Sequence, residues 1–388
     1  MDFGRKVTTR VIADKLGLSQ TTVSQILNAT PGQKFAEGTR KKVLKTAERM
    51  GYQAGFMRRA IKKPLNNIGF IVDDTFTRPS TFRDAIIHGV SESAREGGYI
   101  LSICKTPWRL EDSSDAERAT RQMIDLLMGR VLDGLLIDKS RFSDVQMRML
   151  EATQSPFVLI NGRLPASGRA AHAKAYWVSI DHEQGGRLAV EHLVRLGHRR
   201  IGLINPELSG YPRGWLPAWI GDRMAGYRRG LKAAGITPPA GWEVEGSLND
   251  QETAVRAVDR LLAADPEPTA IFVTDDAMAI VVLNYLRRRG WRVPEDISVI
   301  GYGGWALNFV ADVPLTTIRV PWELMGRLGG ELLISLLHQE SAAEHVRILL
   351  PELVEGRTTG PVNPTASTGQ IASSRTPRND GEEEGTSL

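Results

Sequence analysis

Gln20, Thr21, Ser24 and Gln25 bring amide and hydroxyl groups together in one short stretch, interleaved with the apolar Val23, Ile26 and Leu27. If the apolar three face inward on a helix, the polar four face outward. Short polar side chains on an exposed helix edge can donate to and accept from base edges in a major groove. The local charge agrees with that chemistry. Residues 1–63 hold fourteen Lys/Arg against four Asp/Glu, a net +10, while the whole chain is only +4 and the remainder therefore −6. A basic block on a mildly acidic body is the footprint of a nucleic-acid-binding module joined to something else. A solvated basic surface is the alternative reading of the charge alone.

Other chemistries find little support. No Gly-x-Gly-x-x-Gly follows the first apolar run, and there is no Gly-Lys-Ser/Thr phosphate loop and no nucleophile elbow. His182, His192 and His198 are spaced ten and six apart, which does not put them on one helical face as metal ligands four apart would be. His192 and His198 read as structural. Cys104 is the single cysteine; it excludes an internal disulfide and a multi-thiolate metal site, and it reads as a buried strand residue. No enzyme, cofactor or metal is expected. No apolar run approaches the roughly 20 residues that span a bilayer. The start, Met1-Asp2-Phe3-Gly4-Arg5-Lys6, lacks the apolar core of a secretory signal, so a cytoplasmic location is expected.

The elements that position these residues can be read from periodicity. Ile12, Ala13 and Leu16, then Val23, Ile26 and Leu27, then Val43, Leu44, Ala47 and Met50 predict three small helices around one core. Gly17 suits a left-handed helix end and Ser19 the N-cap of the second helix, which together predict a helix-turn-helix. From Asn67 onward short apolar runs alternate with amphipathic stretches: Ile68–Val72, Tyr99–Ile103, Gly134–Ile137, Phe157–Ile160, Ile201–Ile204, Ala270–Val273 and Ile297–Ile300. Gly98, Gly197, Gly235 and Gly290 close helices directly before the next strand. This is the pattern of parallel α/β sheets, and a body of this length predicts two lobes with a ligand cleft at the carboxyl ends of their strands.

At Ile12-Ala13, Leu16-Gly17-Leu18-Ser19, Thr22-Val23-Ser24, Leu27-Asn28, Thr39-Arg40, Val43 and Gly51-Tyr52 the sequence resembles the lactose/galactose repressor (LacI/GalR) family. The resemblance continues to about residue 360 through Gly186-Arg187, His192-Leu193, Gly197-His198-Arg199-Arg200-Ile201, Asp222-Arg223, Gly226-Tyr227, Val293-Pro294-Glu295-Asp296-Ile297 and Pro314-Leu315-Thr316-Thr317. It implies an α/β protein with an all-α helix-turn-helix headpiece (1–57), a hinge (58–65) and a two-lobed periplasmic-binding-protein-like effector domain (66–360) with parallel sheets. A Ser-, Thr-, Gly- and Pro-rich tail (361–388) is expected to be disordered. The first lobe is expected to take residues 66 to about 195 and the helix from Trp322. The second takes about 198–318 and the end strand.

The resemblance places Gln20, Thr21 and Gln25 at base-reading positions, and Thr8, Ser19, Thr22, Ser24, Asn28 and Thr39 at phosphates. The family usually has arginine where Gln25 stands; arginine favours guanine and glutamine adenine. In the hinge, Ile61 matches a minor-groove wedge, while Arg58 stands where a small residue normally lies and either enters a narrow A·T-rich groove or points outward. Residues 54–65 can alternatively be read as a plain flexible linker. Asp73, Asp138, Arg223 and Asp275 are placed at the cleft, where charged groups suit a hydroxyl-rich effector such as a sugar or glycoside. Trp215, Trp219 and Trp305 fall beside them as candidate faces for sugar C–H surfaces, each equally compatible with a core or dimer contact. The family reads Gly-Tyr/Phe-Asp-Asp where this chain has Gly301-Tyr302-Gly303-Gly304, so a hydroxyl-binding carboxylate is gone. The expected function is that of a repressor of carbohydrate-utilisation genes. Its partners are a palindromic double-stranded DNA operator, a small-molecule effector and a second copy, with pairing into a tetramer left open and no membrane involved.

Overall fold

In a computed structural model the apolar groups near the amino end become three helices, α1 (Thr9–Leu16), α2 (Gln20–Leu27) and α3 (Glu37–Arg49). The structure describes residues 8–27, 35–50, 65–73, 81–106, 114–129, 131–138, 144–162, 175–207, 218–246, 251–304, 313–340 and 345–363. Asn28, Arg58, Ile61, Trp215, Trp305 and the tail from residue 364 lie outside these. Helix α1 ends at Gly17, whose φ of +64° is a conformation a Cβ would disfavour. The Ser19 hydroxyl then accepts from the Thr22 amide at 3.0 Å, satisfying a free donor at the start of α2. Ile12, Ala13, Val23, Ile26, Val43 and Ala47 share one small core. Leu44, expected to face inward, is 44% exposed. It follows Val43 by roughly 100° of helical rotation, out of the stripe that Val43 and Ala47 bury.

Two six-stranded sheets make up the body. One contains β1 (Asn67–Asp73), β2 (Ile100–Thr106), β3 (Gly134–Asp138), β4 (Phe157–Ile160), β5 (Tyr176–Ile180) and the late strand β11 (Val346–Leu349), in the order β11-β5-β4-β3-β1-β2. The other contains β6 (Ile201–Pro206), β7 (Glu243–Gly246), β8 (Ala270–Val273), β9 (Ser298–Gly303), β10 (Thr316–Arg319) and β12 (Glu352–Val354), in the order β12-β10-β9-β8-β6-β7. Pairing is parallel except between β10 and β12. Strands β3, β4, β6, β8 and β9 are buried along their whole length, as strands covered on both faces must be. Gly98, Gly197, Gly235 and Gly290 all take positive φ, in line with their predicted place at helix ends. Cys104 lies in β2 but is only half-buried.

The intervening helices are α4 (Thr81–Glu96), α5 (Ser114–Met128), α6 (Asp144–Glu151), α7 (His182–Arg195), α8 (Ala218–Ala233), α9 (Gln251–Leu262), α10 (Asp276–Arg288) and α11 (Trp322–Leu337). Helix α11 packs on α4 and on β3, β4 and β5, so it returns to the first lobe as expected. Helix α7 does not belong there. It packs on α8, β8, β10 and β12, and the first lobe therefore ends near Asp181 and not near residue 195. The cause is a close helix crossing: a Cβ on Gly186 would strike the Arg223 carbonyl, and one on Gly226 the Glu183 carbonyl. Only glycine lets the two backbones approach so far. The end of the chain is divided as well, with β11 completing the first sheet and β12 the second.

His192 and His198 hold that end in place. The His198 ring lies between the Thr269 hydroxyl (2.9 Å), the Ser298 hydroxyl (3.0 Å) and the Gly360 carbonyl (3.0 Å), and His192 meets the Thr359 hydroxyl at 2.8 Å. Burial holds both imidazoles below their ordinary pKa of 6.5. The unfolded chain therefore binds more protons than the native one just below pH 6.5, and stability falls as pH drops through that window. Denaturation midpoints should be level above pH 7 and decline towards pH 5. His198→Gln should flatten the decline, and an unchanged pH profile would contradict the assignment.

Candidate functional site

Of the four polar residues that the periodicity turns outward, the structure exposes the first two only. Gln20 and Thr21 are exposed, whereas Thr22, Ser24 and Gln25 are half-buried at the flank of the core formed by Val23 and Ile26. Thr8 and Ser19 are both occupied as caps: Thr8 accepts from the Val11 amide at 3.3 Å, and Ser19 lies 2.8 Å from the Thr22 hydroxyl. Thr39 sits in the first turn of α3, with its amide bonded to the Ala36 carbonyl. Helix amino ends and short hydroxyl side chains are the groups that meet phosphate oxygens. The edge is thus a run of donors and acceptors on a helix whose other face is anchored.

The effector candidates fall into two clusters, each at the carboxyl ends of parallel strands. Asp73 closes β1 and Asp138 closes β3. Asp138 is 8% exposed; the Asn161 amide donates to it at 3.4 Å, and the Arg83 Nε lies 3.8 Å away. Asn161 has a φ of +57° immediately after β4, which turns its amide back along the strand ends.

In the second lobe Arg223 is 5% exposed. Its guanidinium lies between two rings, 4.6 Å from the Trp219 centroid and 3.9 Å from that of Tyr302. It donates to the Thr274 carbonyl at 2.7 Å, while its Nε is buried with no hydrogen-bond partner among the described residues. Burial pulls the guanidinium pKa below its ordinary value, opposed by Tyr302 and Asp275. Asp275 caps α10 by accepting from the Ala277 and Met278 amides at 2.8 and 3.2 Å, both through Oδ1. Burial raises its carboxyl pKa, countered by the Met278 amide and by Arg223.

A chain of rings joins the two clusters. Phe82 packs on Trp322 with centroids 5.0 Å apart, Trp322 is 6.0 Å from His182, and His182 Nδ1 is 2.8 Å from the Tyr302 hydroxyl. Burial pushes the Tyr302 phenol up to about 12, so it stays neutral beneath Arg223. The Trp322 indole donates to the Gly303 carbonyl at 3.0 Å. His182 and Trp322 are the first residues of α7 and α11, both of which directly follow a passage between lobes.

Sequence reasoning singled out neither Phe82, Arg83, Asn161 nor Trp322 as part of a site. Asn161, following an apolar run, carried a faint turn signal; the others carried none, because their roles arise from contacts between separate elements of the fold. Asp73 is described in its backbone only.

Residues 190–359 match the model of a periplasmic binding protein-like domain. The chain is 30% identical over 92% of its length to the HTH-type transcriptional repressor PurR of Vibrio atlanticus, covering 99% of that protein. It is 31% identical to PurR of Photobacterium profundum, over 89% of this chain and 97% of the relative. Among solved structures it is similar to a transcriptional regulator CelR–cellobiose complex, with a TM-score of 0.63, 26% identity and coverage of 91% of this chain and 99% of the other. It is also similar to a Lac repressor dimer bound to operator and the anti-inducer ONPF, with a TM-score of 0.62, 25% identity and coverage of 92% and 100%.

Proposed function

This chain belongs to the LacI/GalR family of transcriptional repressors, and on that premise we propose that it represses carbohydrate-utilisation genes and leaves its operator when a sugar or glycoside binds. The observation that carries the DNA half is the polar edge of α2, with Gln20 and Thr21 exposed above a core that fixes the helix. Gln20, Thr21 and Gln25 read bases; Thr8, Ser19, Thr22, Ser24, Asn28 and Thr39 set register on phosphates. A homodimer presents two such edges to a palindrome, with Ile61 wedged into the minor groove between them and Arg58 beside it. It works in the cytoplasm; among the described residues no helix is long and apolar enough to cross a membrane.

The effector half rests on Arg223, Trp219 and Asp275, with Asp138 and Asp73 at the strand ends opposite and Trp305 after β9. A guanidinium, carboxylates and an indole face suit a ligand that is polar at its edges and apolar on its faces. The cellobiose bound by the similar CelR supports a glycoside over a single hexose. Effector and operator oppose each other through one coupling free energy, so the effector must bind more weakly to the operator complex.

Selection of bound duplexes from a randomised pool, repeated with cellobiose and other sugars, tests both halves. A palindrome that disappears with one sugar is expected. Gln25→Arg should shift one half-site position from adenine towards guanine by about 1–3 kcal/mol. Recovery of no preferred duplex, or a preferred duplex held equally with every sugar, would overturn the corresponding half.

A further inference from the structure

Thr9 and Gln20 lie on different helices of the headpiece, yet the Gln20 carboxamide donates from Nε2 to the Thr9 hydroxyl at 3.2 Å. Thr9 is half-buried as the first residue of α1, and Gln20 is exposed as the first residue of α2. The shared core of Ile12, Ala13, Val23 and Ile26 holds the two helices in fixed relation, so Thr9 is a fixed point relative to Gln20. An exposed glutamine otherwise samples many rotamers, and ordering it on DNA opposes binding. The tether removes much of that freedom beforehand.

The tether also leaves a defined pattern. A carboxamide has two N–H donors and one oxygen acceptor. With one N–H on Thr9, the other N–H and Oε1 remain. Those are the two groups an adenine edge requires, since its N7 accepts and its N6 amino group donates.

We infer that Thr9 is a positioning residue for base readout: it holds the Gln20 carboxamide so that the repressor prefers adenine at one position of each half-site. The inference rests on reading Gln20 as base-contacting. It adds a residue on a different helix that would otherwise count only as a helix start.

The test uses the full chain and duplexes selected from a randomised pool, with Gln20→Ala, Thr9→Val and Thr9→Ser compared with the parent. A bidentate amide–adenine pair separates correct from incorrect bases by roughly 5- to 150-fold. Gln20→Ala should remove that preference. Thr9→Val, which keeps the shape and loses the hydroxyl, should reduce the same preference about three- to tenfold, the cost of restored rotamer freedom. Its affinity for mixed-sequence duplex should stay within about twofold, which reports an intact headpiece. Thr9→Ser should restore the adenine preference. Full adenine preference in Thr9→Val, a uniform loss on all duplexes, loss of a guanine preference instead, or no rescue by serine would each overturn the positioning role. If Gln20→Ala itself leaves the preference unchanged, the base-reading assignment fails, and that outcome is distinct from the four above.

Discussion

Gly304→Asp, which returns a carboxylate to a position where the family carries one, is expected to destabilise this protein and not to improve sugar binding. Gly304 has a φ of +71°, and a Cβ there would lie 2.5 Å from the Arg319 Cα on the neighbouring strand β10. The backbone conformation and the forced overlap should together cost roughly 2–5 kcal/mol. The loop cannot easily swing away. The Gly304 amide donates to Asp276 at 2.7 Å, the Thr317 hydroxyl donates to the same carboxylate at 2.6 Å, and Trp322 holds the Gly303 carbonyl. The conformation of this segment is thus built into how β9, β10 and α11 meet. Urea midpoints of the variant and the parent would measure the loss. A variant of parental stability that binds a simple hexose about tenfold more tightly would show that the glycine pair is dispensable.

Arg223→Met should act chiefly on the effector response, which it silences, at a smaller cost to folding. Arg223 is buried, and desolvation already opposes its charge. Replacing the buried cation by an apolar side chain of similar length removes its desolvation cost but leaves the buried Thr274 carbonyl without this donor, so a loss of about 1–3 kcal/mol is expected. Asp275 keeps its two helix amides when the arginine is gone. The ligand would, however, lose a charged donor whose Nε has no hydrogen-bond partner among the described residues. A charge-assisted hydrogen bond is worth about 1.5–3 kcal/mol, so the sugar concentration needed for operator release should rise about 10- to 150-fold. Operator affinity without sugar should be unchanged. Titration of release by the sugar that frees the parent protein reads this directly, and release at the parental concentration would remove Arg223 from the site.

The ring chain from Phe82 to Arg223 gives these two predictions a common setting. Arg223 rests on Tyr302, Tyr302 is bonded to His182, and His182 begins a helix that directly follows a passage between lobes. A ligand that moves the guanidinium must therefore disturb packing at the point where the lobes join. Interiors packed at crystal-like density pass such displacements to their neighbours.

Much of this architecture was legible in local sequence because its causes are local. The spacing of Ile12, Ala13, Val23 and Ile26 specifies helices with one buried face, Gly17 and Ser19 mark the turn between two of them, and the runs Phe157–Ile160 and Ala270–Val273 are apolar throughout because both sheet faces are covered. Matching to the family then located Arg223 and Asp275 within one lobe. The sequence could not assign α7 to the second lobe, because that depends on Gly186 and Gly226 meeting across a helix crossing. Nor could it join Phe82, Trp322, His182 and Tyr302, or set Gln20 against Thr9, since each pairing is a contact between elements whose approach only the assembled core decides. Periodicity determines which face of an element turns inward; which residue it meets there is a property of the folded whole.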